Sequence, residues 1–137
     1  MANLKLNIIV LSVLTVLLSA CNKYEEGSNF SLISAKKRIE GKWKLTKYTL
    51  NGNDWNQDLI DNSYDFKKDG SFTATAYYGV SLQNITLSGT WELSNDKTVI
   101  SLSYGDTYTI VKLTKKELKL QRIIGSSVYQ STFESVE

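Results

Sequence analysis

The sequence contains no histidine and no proline, and it has one cysteine in 137 residues. Without histidine there is no Ser-His-Asp triad, no Cys-His pair, and no His-rich zinc or haem site. A single cysteine excludes an intramolecular disulfide and any cysteine cluster for zinc or iron–sulfur. An excess of one charge is missing as well. The formal net charge is +2, and the lysines are scattered among acids, so there is no basic stripe to follow nucleic acid. The length suits one domain and hardly two. No catalytic constellation is legible, and no cofactor or metal site is expected. Asp54, Asp58 and Asp61, with Asn51, Asn53 and Asn62, form an oxygen-rich loop. Its spacing matches no EF-hand, and such loops are commonly turns.

The first twenty residues are different in kind. Leu6 to Leu18 is an apolar run preceded by Lys5 and interrupted only by Asn7, Ser12 and Thr15. It is shorter than the roughly 20 residues of a spanning helix and fits the about 7–15 of a signal-peptide core. The run ends in Leu18-Ser19-Ala20-Cys21, which resembles the lipobox of bacterial lipoproteins. The resemblance implies cleavage before Cys21, lipid on its thiol and a membrane anchor. Two or three acyl chains are needed for a lasting hold. Removing residues 1–20 takes away only Lys5, which leaves 15 basic against 14 acidic residues. Asn22 follows the cysteine, then Lys23, Glu25 and Glu26. The expected location is the outer membrane, lipid-anchored, with the periplasmic face and the cell surface both open.

Residues 21–30 read as a lipidated cysteine and polar tether, and residues 31–137 as the folded domain. Ser31 to Glu40 predicts a short helix capped by Ser31, with Leu32, Ile33, Ala35 and Ile39 at near-helical spacing. Beyond Gly41, turn signals recur about every ten residues: Asn51-Gly52, Asp69-Gly70, Asn95-Asp96, Gly105-Asp106 and Gly125-Ser126. The runs between them alternate. Phe72, Ala74, Ala76 and Tyr78 share one face, as do Ile85, Leu87, Gly89, Trp91 and Leu93. About eight such strands joined by tight turns predict an all-β, antiparallel up-and-down barrel. Full closure would leave no free edge, and a monomer is expected.

Gly41-Lys42-Trp43 opens the first strand, and a second Gly-Thr-Trp stands at Gly89-Thr90-Trp91. With Tyr64-Asp65-Phe66-Lys67-Lys68-Asp69-Gly70-Ser71-Phe72 and Tyr108-Thr109-Ile110-Val111-Lys112-Leu113-Thr114, these blocks resemble the lipocalin-like domains of small bacterial outer-membrane lipoproteins. The resemblance covers nearly all of residues 38–137. It implies that Gly41 and Trp43 close one end of the barrel and that a late-strand arginine lies across the tryptophan. Arg122 shares parity with Leu118 and Leu120, so alternation turns it inward. Two readings of it stay open: a closure residue stacked on Trp43, or a cavity anchor for an anionic ligand.

Ala74, Ala76 and Gly89 would leave space inside. Tyr64, Phe72, Tyr78, Trp91 and Tyr104 would line that space with apolar surface carrying polar tips. The function expected is non-enzymatic capture of a small apolar or amphipathic ligand, with the loop Asn51–Asn62 gating the mouth. The alternative is a filled barrel acting as a cell-envelope interaction module for a protein or glycan, with Trp55, Tyr77 and Tyr129 as outer contacts.

Overall fold

The computed structural model describes Tyr24 and residues 32–55, 62–78 and 83–137, apart from the side chains of residues 77, 78 and 83. Cys21, the leader and the centre of the long connection lie outside the described residues. Among the described residues, one short helix, α1 (Ala35–Ile39), precedes nine strands. They are β1 (Gly41–Leu50), β2 (Asn53–Asp54), β3 (Ser63–Phe66), β4 (Ser71–Tyr78), β5 (Gln83–Leu93), β6 (Val99–Leu102), β7 (Thr107–Leu113), β8 (Glu117–Ile124) and β9 (Ser127–Val136). All pairings are antiparallel and run in chain order from β3 to β9. β1 pairs with β3 on one side and with β9 on the other, from Lys42↔Val136 to Leu50↔Tyr129. That pairing closes an eight-stranded barrel. β2 is a short appendage on the far end of β1.

The helix starts later than its spacing suggests. Ser34, with extended backbone, caps it by accepting from the Lys37 N–H at 3.3 Å, and Leu32 lies 96% exposed outside it. A serine immediately before an Ala-Lys-Lys-Arg run offers its oxygen to the first free N–H groups, and that outweighs the apolar pair upstream. Gly41 carries the chain from α1 into β1 at φ +129°, a backbone conformation that side chains disfavour. A Cβ there would meet nothing, so glycine is required for its conformation rather than for space.

α1 stoppers one end of the barrel. Ile39 is fully buried, and its carbonyl accepts the Trp43 indole N–H at 2.7 Å. Above the stopper the barrel is filled by Phe66, Phe72, Trp91, Ile100, Leu113 and Leu118. Phe66 sits edge-on to Trp91 (5.4 Å between ring centres) and stacks on Tyr64 (5.3 Å). The Trp91 indole N–H is satisfied by the Lys67 carbonyl at 3.1 Å.

Three expectations change here. The cation buried at the closed end is Arg38, whose Nη1 donates to the Leu113 carbonyl at 2.7 Å. Arg122 lies towards the other end and does not reach Trp43. It pairs with Tyr129 on β9, whereas Trp43 pairs with Ser135, six residues or about 20 Å further along that strand. Gly89 opens no space, because an added Cβ would strike the Ser103 hydroxyl and stand 3.0 Å from the Phe72 ring. Phe72 already fills the gap the glycine leaves. Finally, Tyr24, inside the segment read as tether, is 4% exposed in the core at the closed end.

Candidate functional site

The mouth follows from one short strand. β3 pairs with β1 only at Gly41–Lys44 and with β4 only at Phe72–Thr75. Among the described residues, no strand bridges the far halves of β1 and β4, each continuing three or more residues beyond, and only β2 lies against β1 on that side, at Thr49 and Leu50. A cavity of about 560 Å³ opens there, above the packed lower core. Phe133, Leu120 and Leu45 form its apolar floor, and Tyr64, Ala74, Ala76 and Leu87 stand along the β3–β5 wall. Tyr48, Tyr104, Tyr108 and Tyr129 complete the wall, with Trp55 at the rim. Eight strands leave an interior of this order, enough for side chains or for one small ligand.

Strict alternation from Trp43 sends Tyr48 outwards. A β-bulge between Leu45 and Lys47 adds a residue opposite β9, so Tyr48 pairs with Ser131 and turns into the cavity. Its ring lies 6.3 Å from that of Trp55 and 6.2 Å from that of Tyr129. Trp55 is held in turn by its backbone N–H, which donates to the Tyr48 carbonyl at 2.9 Å. These three rings make an aromatic rim, and Trp55 stays 42% exposed.

A line of hydroxyls runs down the opposite wall. The Tyr64, Tyr104 and Tyr108 side chains face one another closely enough for each to influence the others' protonation. The Tyr108 hydroxyl lies 3.4 Å from Asp106 Oδ2, and Asp106 Oδ1 binds the Arg122 guanidinium at 2.8 Å. Arg122 also lies over the Tyr108 ring at 6.0 Å. Burial is the main reason that Tyr64, Tyr104 and Tyr108 all hold their protons above the ordinary phenol range. The described wall therefore carries neutral hydrogen-bonding groups, and the one cation near it is matched by a carboxylate.

Of the residues singled out in the sequence, the structure brings Tyr64, Ala74, Ala76 and Tyr104 to the cavity. Phe72 and Trp91 point inwards but lie lower, in the packed core, 1% and 4% exposed. Arg122 stands beside the cavity in its ion pair rather than on the lining. The side chain of Tyr78 lies outside the described residues, as do residues 56–61, half of the loop read as a gate, and the side chain of Tyr77. Tyr129, read as an outer contact, lines the cavity instead. Tyr129, Ser131 and Phe133 were open to discovery by parity alone, because β9 alternates throughout; Tyr108 shares parity with the buried Ile110, ahead of the irregularity between Ile110 and Lys112 in β7. Asp54 of the oxygen-rich loop pairs with Lys47 at 2.8 Å. Among the described residues no three potential metal ligands come together.

Residues 39–120 match the family model described as a lipocalin-like domain. No curated protein matches the chain. Among solved structures, a major allergen of cockroaches, Per a 4, superposes with a TM-score of 0.59 at 17% identity, over 81% of this chain and 74% of that one. Bovine odorant binding protein, in a complex with a selenium-containing odorant, gives a TM-score of 0.48 at 10% identity, over 82% and 78%. The likeness to the allergen is one of fold.

Proposed function

This chain belongs to the lipocalin-like domain family, and from that premise we propose that its barrel captures one small, uncharged, amphipathic or apolar molecule. The observation that carries the reading is the 560 Å³ cavity with its apolar floor and its line of neutral tyrosine hydroxyls. Apolar walls with a few placed polar groups suit a small ligand, which the rings contact and the hydroxyls orient. An anionic head group would need a free cation, and Arg122 is already held by Asp106. The ligand is therefore expected to offer a hydroxyl, carbonyl or amide towards Tyr104 and to lay its apolar part on Phe133 and Leu120. The protein contributes capture and no chemistry of its own.

The lipobox resemblance adds a location. The chain is read as a lipoprotein anchored through lipid on Cys21 at the outer membrane, on either its periplasmic or its outer face. Intact-mass analysis of the membrane-extracted chain checks this, since processing before Cys21 and added acyl mass must both be present.

The binding reading is tested by titrating the chain with two fluorescent probes that share one ring system. N-phenyl-1-naphthylamine is uncharged, and 8-anilinonaphthalene-1-sulfonate carries a sulfonate. Saturable binding of the uncharged probe, at least tenfold tighter than the sulfonate, is expected; preference for the sulfonate would refute the neutral-ligand reading. The rival reading, an interaction module, has one observation on its side, the half-exposed Trp55 at the rim. A Trp55→Ala variant that loses a protein partner yet keeps probe affinity would favour it.

A further inference from the structure

Charge is unevenly divided along the barrel axis. The closed end comprises α1, the β3–β4, β5–β6 and β7–β8 turns, and the C-terminus. Outside the strands it carries eight basic side chains against four acidic ones. Lys36, Lys37, Lys67, Lys68, Lys115 and Lys116 are all exposed there. Two of the four acids are engaged in their own turns: Asp69 accepts from Ser71 Oγ and Asp96 from Ser94 Oγ, each at 2.6 Å. At the mouth, the described connections, β2 included, carry Asp54 and Asp106 and neither lysine nor arginine. A near-neutral domain is thus uneven along its axis: the stoppered end carries the basic excess, whereas both described acids of the open end are paired, Asp54 with Lys47 and Asp106 with Arg122.

Tyr24 fixes where the start of the domain lies. Its hydroxyl donates to the Lys97 carbonyl at 3.2 Å, in the β5–β6 turn. The Arg38 guanidinium lies 5.9 Å from its ring centre. Tyr24 is thereby tied to the closed end at two points. Cys21 is three residues away, and three residues span at most about 10 Å. Whatever is attached at Cys21 begins within that reach of the basic end.

We propose that the closed end is a membrane-facing base, seated on the head groups of an anionic bilayer, with the mouth turned away from the lipid. The proposal rests on the lipid anchor at Cys21. Lysines clustered beside an anchor are drawn to anionic head groups within a Debye length, and a ring of them around the stopper resists tilting. Ten residues of β1 rise about 33 Å along the strand; inclined by about 40° they place the mouth about 25 Å above the base. The cavity then loads from the aqueous side and not from the bilayer beneath.

The test uses the full chain, processed by its host and reconstituted into vesicles of phosphatidylcholine and phosphatidylglycerol. These vesicles also contain a lipid with a nitroxide on its head group. A thiol-reactive dye is placed at the closed end through Asn95→Cys or at the mouth through Ser126→Cys, both exposed turn positions. Each variant is first checked for a parental thermal melt. The dye at 95 is expected to lose most of its emission and the dye at 126 almost none. Equal quenching, or stronger quenching at 126, overturns the orientation. With Lys67, Lys68, Lys115 and Lys116 all changed to Glu, quenching at 95 is expected to fall; unaltered quenching removes the lysines from the proposal. Intact mass separates the two levels. A chain without acyl groups, whose Cys21 takes up the dye, sinks the anchor and the proposal together. An acylated chain with equal quenching sinks the orientation alone.

Discussion

Ala76→Trp is the perturbation that addresses the cavity most specifically. Ala76 faces the cavity from β4, pairs with Ile85 on β5, and retains partial exposure, whereas Ala74 is 8% exposed with little room to grow. A tryptophan covers about 200 Å² of apolar surface, worth about 5 kcal/mol at roughly 25 cal/mol per Å². The open mouth keeps one face of the new ring wet. About half of that contact, ~2.5 kcal/mol, is therefore taken from the ligand, close to a hundredfold in Kd. The fold should tolerate the change, since the ring enters open space and the overpacking penalty of a filled core, about 1–3 kcal/mol, is largely avoided. The assay is the N-phenyl-1-naphthylamine titration run beside a thermal melt of the same sample. A parental melt with parental affinity would show that the probe binds elsewhere and that the cavity argument is wrong.

Other expectations follow from the same geometry. Phe66→Ala removes a ring held between Tyr64 and Trp91, costing about 4 kcal/mol and lowering the melting temperature by about 20 °C; calorimetry reads it directly. Gly89→Ala should cost about 1–3 kcal/mol, because the methyl group meets the Phe72 ring and the Ser103 hydroxyl that accepts from the Thr90 N–H; an unchanged urea midpoint would contradict that crowding. Asp106→Asn should free the Arg122 cation and narrow the preference for the uncharged probe over the sulfonate. The pH dependence also has a definite sign. Burial raises Tyr64 above its ordinary value of 10.0, so the unfolded chain loses that proton first. Stability should hold below pH 10 and fall above it, and Tyr64→Phe should flatten the fall in a series of urea-unfolding midpoints.

The barrel was legible because nearly every strand is bounded by turn residues and alternates at period two. β1, β4, β7 and β8 could be read almost to their ends. Parity assigns a face, however, and not a height along the axis. Phe72, Trp91 and Arg122 were all given the inward face; two of them sit below the cavity and the third pairs with Asp106 beside it. Height depends on register with neighbouring strands, which no single run contains. Tyr48 escaped for another reason: a bulge in β1 reverses parity between Leu45 and Tyr48, and nothing in Leu-Thr-Lys-Tyr announces the extra residue. The position of the mouth depends on β3 being four residues long, and the sequence Ser-Tyr-Asp-Phe gave its existence without the consequence. Tyr24 looked like part of a solvated tether because its neighbours are polar. Only the surface of the closed end, with Arg38 and the Lys97 carbonyl, explains why it docks.

The central claim is that the barrel holds a small neutral molecule. Native mass spectrometry of the full chain, gently extracted from its own host, tests it most directly. A complex heavier than the chain alone by one small uncharged molecule, released on unfolding and lost in Ala76→Trp, is the expected result. A bare chain that gains no mass after incubation with a lipid extract of that host would contradict it.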